Sequence, residues 1–118
     1  MSIRNSETIE GLDLKSALDQ FDGDRESLKE VLTVYVDQAS HMLEQIRTFT
    51  EEKIADYIIA IHGIKGSSKG VFAEEVGNLA ESLEYAAKAE NIKFIEENNK
   101  PLIETIEKLI MSIKDWLI

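Results

Sequence analysis

The chain has no cysteine, which excludes disulfides, thiolate nucleophiles and cysteine-ligated zinc. It has a single proline, Pro101, and its β-branched residues do not alternate with polar ones in the period of a strand. Basic residues are the minority, 13 Lys and Arg against 23 Asp and Glu, for a formal net charge of −10. That balance argues against nucleic acid and anionic membranes as partners. No apolar run approaches the roughly 18–20 residues of a membrane span. Residues 1–7 carry no apolar stretch of the kind a signal peptide needs, so the expectation is a cytoplasmic protein without membrane insertion. What is present is ordinary for a globular domain: 118 residues, 43% hydrophobic and 31% charged. That is enough for one domain over residues 1–118 with a real core.

Helical periods run through the whole sequence. Residues from about 9 to 21 read as a short helix, with Leu14, Ala17, Leu18 and Phe21 on one side and Asp13 as its N-cap. Asp22-Gly23-Asp24 is a turn. A long helix from about Arg25 to Phe49 carries the stripe Leu28, Val31, Leu32, Tyr35, Ala39, Met42, Leu43 and Ile46. The next starts near Glu52, with Ile54, Tyr57, Ile58, Ile61, Ile64, Ser68 and Phe72 along one face. Another opens at Ala73-Glu74-Glu75 and carries Val76, Leu79, Ala80, Leu83, Ala86 and Ala87. Glu90-Asn91 stops it, since Asn tolerates a left-handed cap. The last helix starts near Ile92, or restarts at Pro101 as a first-turn proline, and carries Ile103, Ile106, Leu109, Ile110, Ile113 and Leu117. The expected fold is all-α: an antiparallel four-helix bundle over about residues 25–118, with a short extra N-terminal helix.

One segment breaks the acidic pattern. His62-Gly63-Ile64-Lys65-Gly66-Ser67-Ser68-Lys69 holds two lysines, two glycines and no acid. At about 100° per residue, His62 falls at the edge of the wall that Ile61 centres. Lys65, Gly66 and Lys69 follow at helical spacings on its face, and Ile58 precedes it by one turn. Neutral imidazole is a competent nucleophile near pH 7, with an unperturbed pKa of about 6.5. Two ammonium groups suit an anionic group carried on it, and Gly66 leaves bare backbone where a partner would approach. Gly63, Gly66 and Gly70 together sacrifice about 3 kcal/mol of helix propensity relative to alanine.

Plainer readings stand beside this one. A lone histidine is commonly a boundary residue, and the composition of Gly66-Ser67-Ser68-Lys69-Gly70 also admits, as the lesser reading, a loop that ends the helix. Gly63 and Gly66 suit close helix packing equally well. Other sites fare worse. His41 has no lysine-glycine neighbourhood and reads as structural or solvent-facing. The Glu-x-x-His of a di-iron bundle is missing at both histidines, Ile59 and Gln38 standing where the glutamate belongs. The P-loop pattern is incomplete and lies on a helix. Ser67 and Ser68 have no triad, Glu74-Glu75 and Glu96-Glu97 read as solvated faces, and Trp116 reads as core or edge packing. No metal site is expected.

The run from His62 to Ser68 resembles the signature of histidine phosphotransfer (HPt) domains, His-x-hydrophobic-Lys-Gly-small-small. Ile9 through Asp24, Leu28 to Val36, and Leu79 through Leu83-Glu84 are similar to the family's flanking stretches. The resemblance implies a phosphoryl carrier in a multistep two-component relay. His62 would accept the phosphoryl group, through Nε2, from a receiver-domain aspartyl phosphate and pass it to another receiver. Lys65 would hold phosphoryl oxygens, and Ile58, Gly66 and Lys69 would line the docking face. Response-regulator receivers, and a hybrid sensor histidine kinase, are the implied partners. The receiver would bring Mg²⁺, so the chain needs no cofactor of its own, and without an ATP site it is not an autonomous enzyme. Nothing demands more than a monomer. Two departures stand out: Phe72 lies where the family often has glycine, and Ile61 replaces the usual small residue before the histidine. A silent helical adaptor that docks a receiver, and the N-terminal phosphoacceptor domain of a chemotaxis-type kinase, are the alternatives.

Overall fold

The computed structural model describes residues 7–118. Residues 1–6, on which the reading of no leader largely rests, lie outside the described residues. Among the described residues, five α-helices follow in order: α1 (Leu14–Asp19), α2 (Arg25–Arg47), α3 (Ile54–Gly70), α4 (Glu74–Lys88) and α5 (Ile92–Leu117), with a 3₁₀ turn at Glu51–Lys53 ahead of α3. Among the described residues there is no strand, only an isolated bridge between Ile9 and Leu12.

The long helices form a closed antiparallel four-helix bundle, 52 × 21 × 19 Å, in which each packs on two neighbours. Side-chain pairings fix the directions. Tyr35 of α2 meets Ser68 of α3. Lys69 and Lys65 of α3 meet Glu81 and Glu84 of α4. Arg25 and Arg47 of α2 meet Trp116 and Glu107 of α5. The core brings the expected stripes together, with Leu28, Leu32, Ile46, Ile61, Ile64, Leu83, Ile106, Leu109 and Ile113 almost wholly buried, and adds Ile95 and Leu102, which the expected stripe of the last helix did not include. At the side chains' usual contribution of about 1.5–3 kcal/mol each, this apolar seam supplies most of what holds the bundle together.

Local chemistry sets the helix ends. Asp13 caps α1 by accepting from the Ser16 backbone N–H at 3.1 Å, and Asp24 caps α2 through the backbone N–H groups of Glu26 and Ser27. Asn91 caps α5 through the Phe94 N–H at 3.2 Å. The C-terminus of α3 is a Schellman motif, with Ala73 N–H on the Ser68 carbonyl at 2.8 Å and Phe72 N–H on Lys69 at 3.1 Å. The left-handed residue it requires is Phe72, at φ +64°.

Three expectations are corrected, and one choice between two readings is decided. The first helix is six residues rather than residues 9–21, because Gly11 at φ +89° turns the chain and buries Ile9 and Leu12 outside any helix. The left-handed residue after α4 is Glu90, at φ +55°, while Asn91 begins the next helix. α3, the second long helix, begins at Ile54, after the 3₁₀ turn, rather than near Glu52. α5 runs unbroken through Pro101. The proline surrenders one backbone bond, but it and Glu97 four residues earlier are both exposed, so the freed carbonyl is open to water. Trp116 is half-buried at the bundle's end, where its indole N–H donates to Glu7 at 2.9 Å and Arg25 stacks over its ring.

No helix among the described residues is long and apolar enough to cross a membrane.

Candidate functional site

His62 lies on α3 with 65% of its side chain exposed. It sits beside Ile61, which is wholly buried, so the backbone that carries the imidazole is fixed by the core. Nδ1 is 2.7 Å from Oε2 of Glu84 on α4. An ionised carboxylate only accepts hydrogen bonds, so Nδ1 carries the hydrogen. In the neutral ring the lone pair then belongs to Nε2.

Glu84 is the buried member of the site, 4% exposed. Its oxygens meet three donors: Oε1 takes Lys65 Nζ at 2.7 Å, and Oε2 takes both the imidazole and Lys88 Nζ, the latter at 3.1 Å. Burial alone pushes the carboxyl upward, but the hydrogen bonds from Lys65, His62 and Lys88 together overcome it and hold it at about 2, below the ordinary 4.5. Glu84 is therefore a fixed negative charge at neutral pH. It in turn raises Lys65, chiefly through their hydrogen bond.

The remaining residues of the run divide. Lys69 reaches across to Glu81 at 3.1 Å, and its aliphatic stem covers Gly77, where a Cβ would come within 2.6 Å of Lys69 Cγ. Gly63 is a packing glycine, since a Cβ there would stand 2.7 Å from Met42 Sδ on α2. Gly66 is different: nothing lies within 4 Å of where its Cβ would be. The helix is bare beside the imidazole for no packing reason. Ser67 Oγ donates back to the Gly63 carbonyl of its own helix at 2.8 Å, and Ser68 is buried against the Tyr35 hydroxyl, which burial pushes up to about 12.

Three of the expected site residues are placed differently from the sequence reading. Ile58 is half-buried against the core, and the exposed apolar residue one turn before His62 is Ile59, at 72%. Lys65 and Lys69 are not free flanking cations; each is engaged by a glutamate of α4. His41, as expected, is an exposed residue of α2. Among the described residues no cluster of His, Asp and Glu has the makings of a metal site.

Glu84 and Lys88 join His62 and Lys65 by contact, and sequence reasoning gave neither a role, although Glu84 falls within the Leu83-Glu84 pair of the resemblance. For Glu84 a signal existed. It stands four residues after Ala80 and three before Ala87, inside the apolar stripe of α4. A carboxylate at a core register is costly unless paired, which points to donors across the helix interface. Lys88 carries no comparable mark.

Compared with protein-family models, with curated proteins and with solved structures, the chain matches none. Its residues and their arrangement are what bear on function.

Proposed function

We propose that this chain is a phosphoryl carrier of the histidine phosphotransfer kind, with His62 as its acceptor. The observation that carries the reading is the pairing of an exposed imidazole with a buried, ionised carboxylate on Nδ1. It leaves Nε2 as the free nucleophile and turned away from the carboxylate. A histidine serving only as a boundary residue has no use for a charged partner at a core position.

The chemistry follows from that geometry. Nε2 attacks phosphorus, an N–P bond forms, and the P–O bond to a receiver's aspartate breaks with its carboxylate as leaving group. The proton on Nδ1 stays in place. The ring becomes cationic as it is phosphorylated, and Glu84 at 2.7 Å stabilises that charge as it develops. Such transfer is positioning and electrostatics, with little covalent work for the protein. Lys65, bonded to Glu84, fixes the carboxylate and stands beside the incoming phosphoryl group. Gly66 leaves room for the partner, and Ile59, Ile58 and Lys69 rim the approach. Receiver domains, including one within a hybrid sensor kinase, are the partners of this chemistry, and Mg²⁺ would come with the receiver. The chain works as a monomer in the cytoplasm on this reading.

The test is transfer from a panel of phosphorylated receivers with Mg²⁺, followed by intact mass at neutral pH and after acid. An acid-labile gain of one phosphoryl group, lost in His62→Gln, is expected. Because the imidazole is exposed, that variant should keep its helical spectrum. Retained phosphorylation in the variant overturns the assignment of His62.

A further inference from the structure

The facing sides of α3 and α4 are in register. Lys69 meets Glu81, and one turn back along α3 Lys65 meets Glu84. One step further back along α3 stands His62, and one turn further along α4 stands Lys88. Lys88 Nζ lies 3.1 Å from the same Glu84 oxygen that accepts from Nδ1 at 2.7 Å. Its ammonium and the imidazole are thus neighbours across one oxygen.

The lysines differ in how they are held. Lys65 has Oε1 to itself at 2.7 Å, and its side chain is 25% exposed. Lys88 shares Oε2 with the imidazole at the longer distance and is 62% exposed. Of the two ammonium groups on Glu84, Lys88 is the looser and the nearer to solvent. With a neutral imidazole, Lys65 and Lys88 against Glu84 leave one positive charge in excess. A phosphoryl group brings about −1.5 to −2. Phosphorylation also makes the ring cationic, so the imidazole competes harder for Oε2. Both changes push Lys88 in one direction. On the α2 flank, the groove across Gly63 is lined by Asp37 and His41 and by no lysine or arginine.

We infer that Lys88 is a phosphoryl-holding residue of this site: it leaves Glu84 when His62 is phosphorylated and pairs with the phosphoryl oxygens, while Lys65 stays on the carboxylate. The inference rests on the phosphoacceptor reading and changes the division of labour within it. Lys65 becomes chiefly a positioning residue, and the cation on the phosphoryl group comes from α4.

Phosphoramidate tests it without a partner protein. Nε2 attacks its phosphorus, the P–N bond breaks and ammonia leaves. Intact mass and acid lability report the phosphohistidine, with His62→Gln as control. The phosphoryl group is then titrated by ³¹P NMR, because a paired ammonium lowers the midpoint of its last protonation. Lys88→Met should raise that midpoint by about 0.3–0.7 of a pH unit, a two- to fivefold change in proton affinity for an exposed ion pair. Lys88→Arg should restore it, and Lys65→Met should move it less than Lys88→Met does. A midpoint unmoved in Lys88→Met but raised in Lys65→Met overturns the proposal and leaves the carrier reading standing. A wild-type chain that gains no acid-labile phosphoryl group on His62 overturns both.

Discussion

Replacing Glu84 with glutamine removes one charge and almost no volume, so it isolates the electrostatics of the site. The folded carboxyl is held at about 2, against an ordinary value of 4.5. At about 1.36 kcal/mol per unit, that is about 3 kcal/mol favouring the folded state at neutral pH. His62 and Lys88 both face solvent, which screens their share, so about 2 kcal/mol is the working expectation. The sign follows from the depressed folded value: the contribution is complete above about 4.5, shrinks as pH falls, and is gone below about 2. Urea unfolding of wild type and Glu84→Gln at pH 7 should differ by about 1 M in midpoint, taking a slope of about 2 kcal/mol per molar. The gap should narrow between pH 4.5 and 2, because the wild type loses what the variant never had. A gap below about 0.5 kcal/mol at pH 7, or one that does not narrow on acidification, would show that the carboxylate is not the charged hub described here.

Two further expectations concern the ends and faces of α3. Gly66→Ala should stabilise the bundle by up to about 1 kcal/mol, because the position is open helix interior. Gly63→Ala should gain less or lose, since its Cβ must displace Met42 Sδ. Thermal or urea midpoints in the reverse order would refute the distinction between a packing glycine and a clearance glycine; slower transfer from a receiver in Gly66→Ala would fit its clearance role. At Phe72 both Gly and Ala remove the half-buried ring, but only Gly relieves the left-handed backbone at φ +64°. Phe72→Gly should therefore be more stable than Phe72→Ala by about 1 kcal/mol, the opposite of their usual effect on an isolated helix. Equal stabilities in urea would mean that the turn relaxes in the alanine variant.

The bundle was legible because its evidence is periodic and local. Leu28, Leu32, Ile46, Ile61, Ile64, Leu83, Ile106, Leu109 and Ile113 were placed on apolar stripes by spacing alone, and all are buried. What spacing does not encode is backbone hand. Gly11, with its positive φ, keeps the first helix from starting until Leu14, and Glu90 rather than Asn91 takes the left-handed position after α4. The hydrophobic positions on either side suit a helix or a turn equally, and the cap geometry chooses between them. Pro101 is the reverse case, a residue that signals a break on its own but costs only one backbone bond when its face of the helix is exposed.

The site was legible only along one helix. His62, Lys65, Gly66 and Lys69 lie on a single element, and helical geometry relates them without knowledge of any neighbour. Their partners lie on α4, and which residue of α4 stands opposite depends on the register of two packed helices. Ile61 and Ile64 on α3 and Val76, Ala80 and Leu83 on α4 are all buried, and register between packed helices follows from side-chain volumes summed over the interface rather than from any motif. A shift of one turn would set Glu84 against a different pair of α3 residues and leave the imidazole without its carboxylate. The ladder from Lys69–Glu81 through Lys65–Glu84 to His62 and Lys88 is therefore fixed by the core behind it. For the same reason, a core substitution that slips α3 against α4 should disturb the tautomer of His62 before it unfolds the bundle.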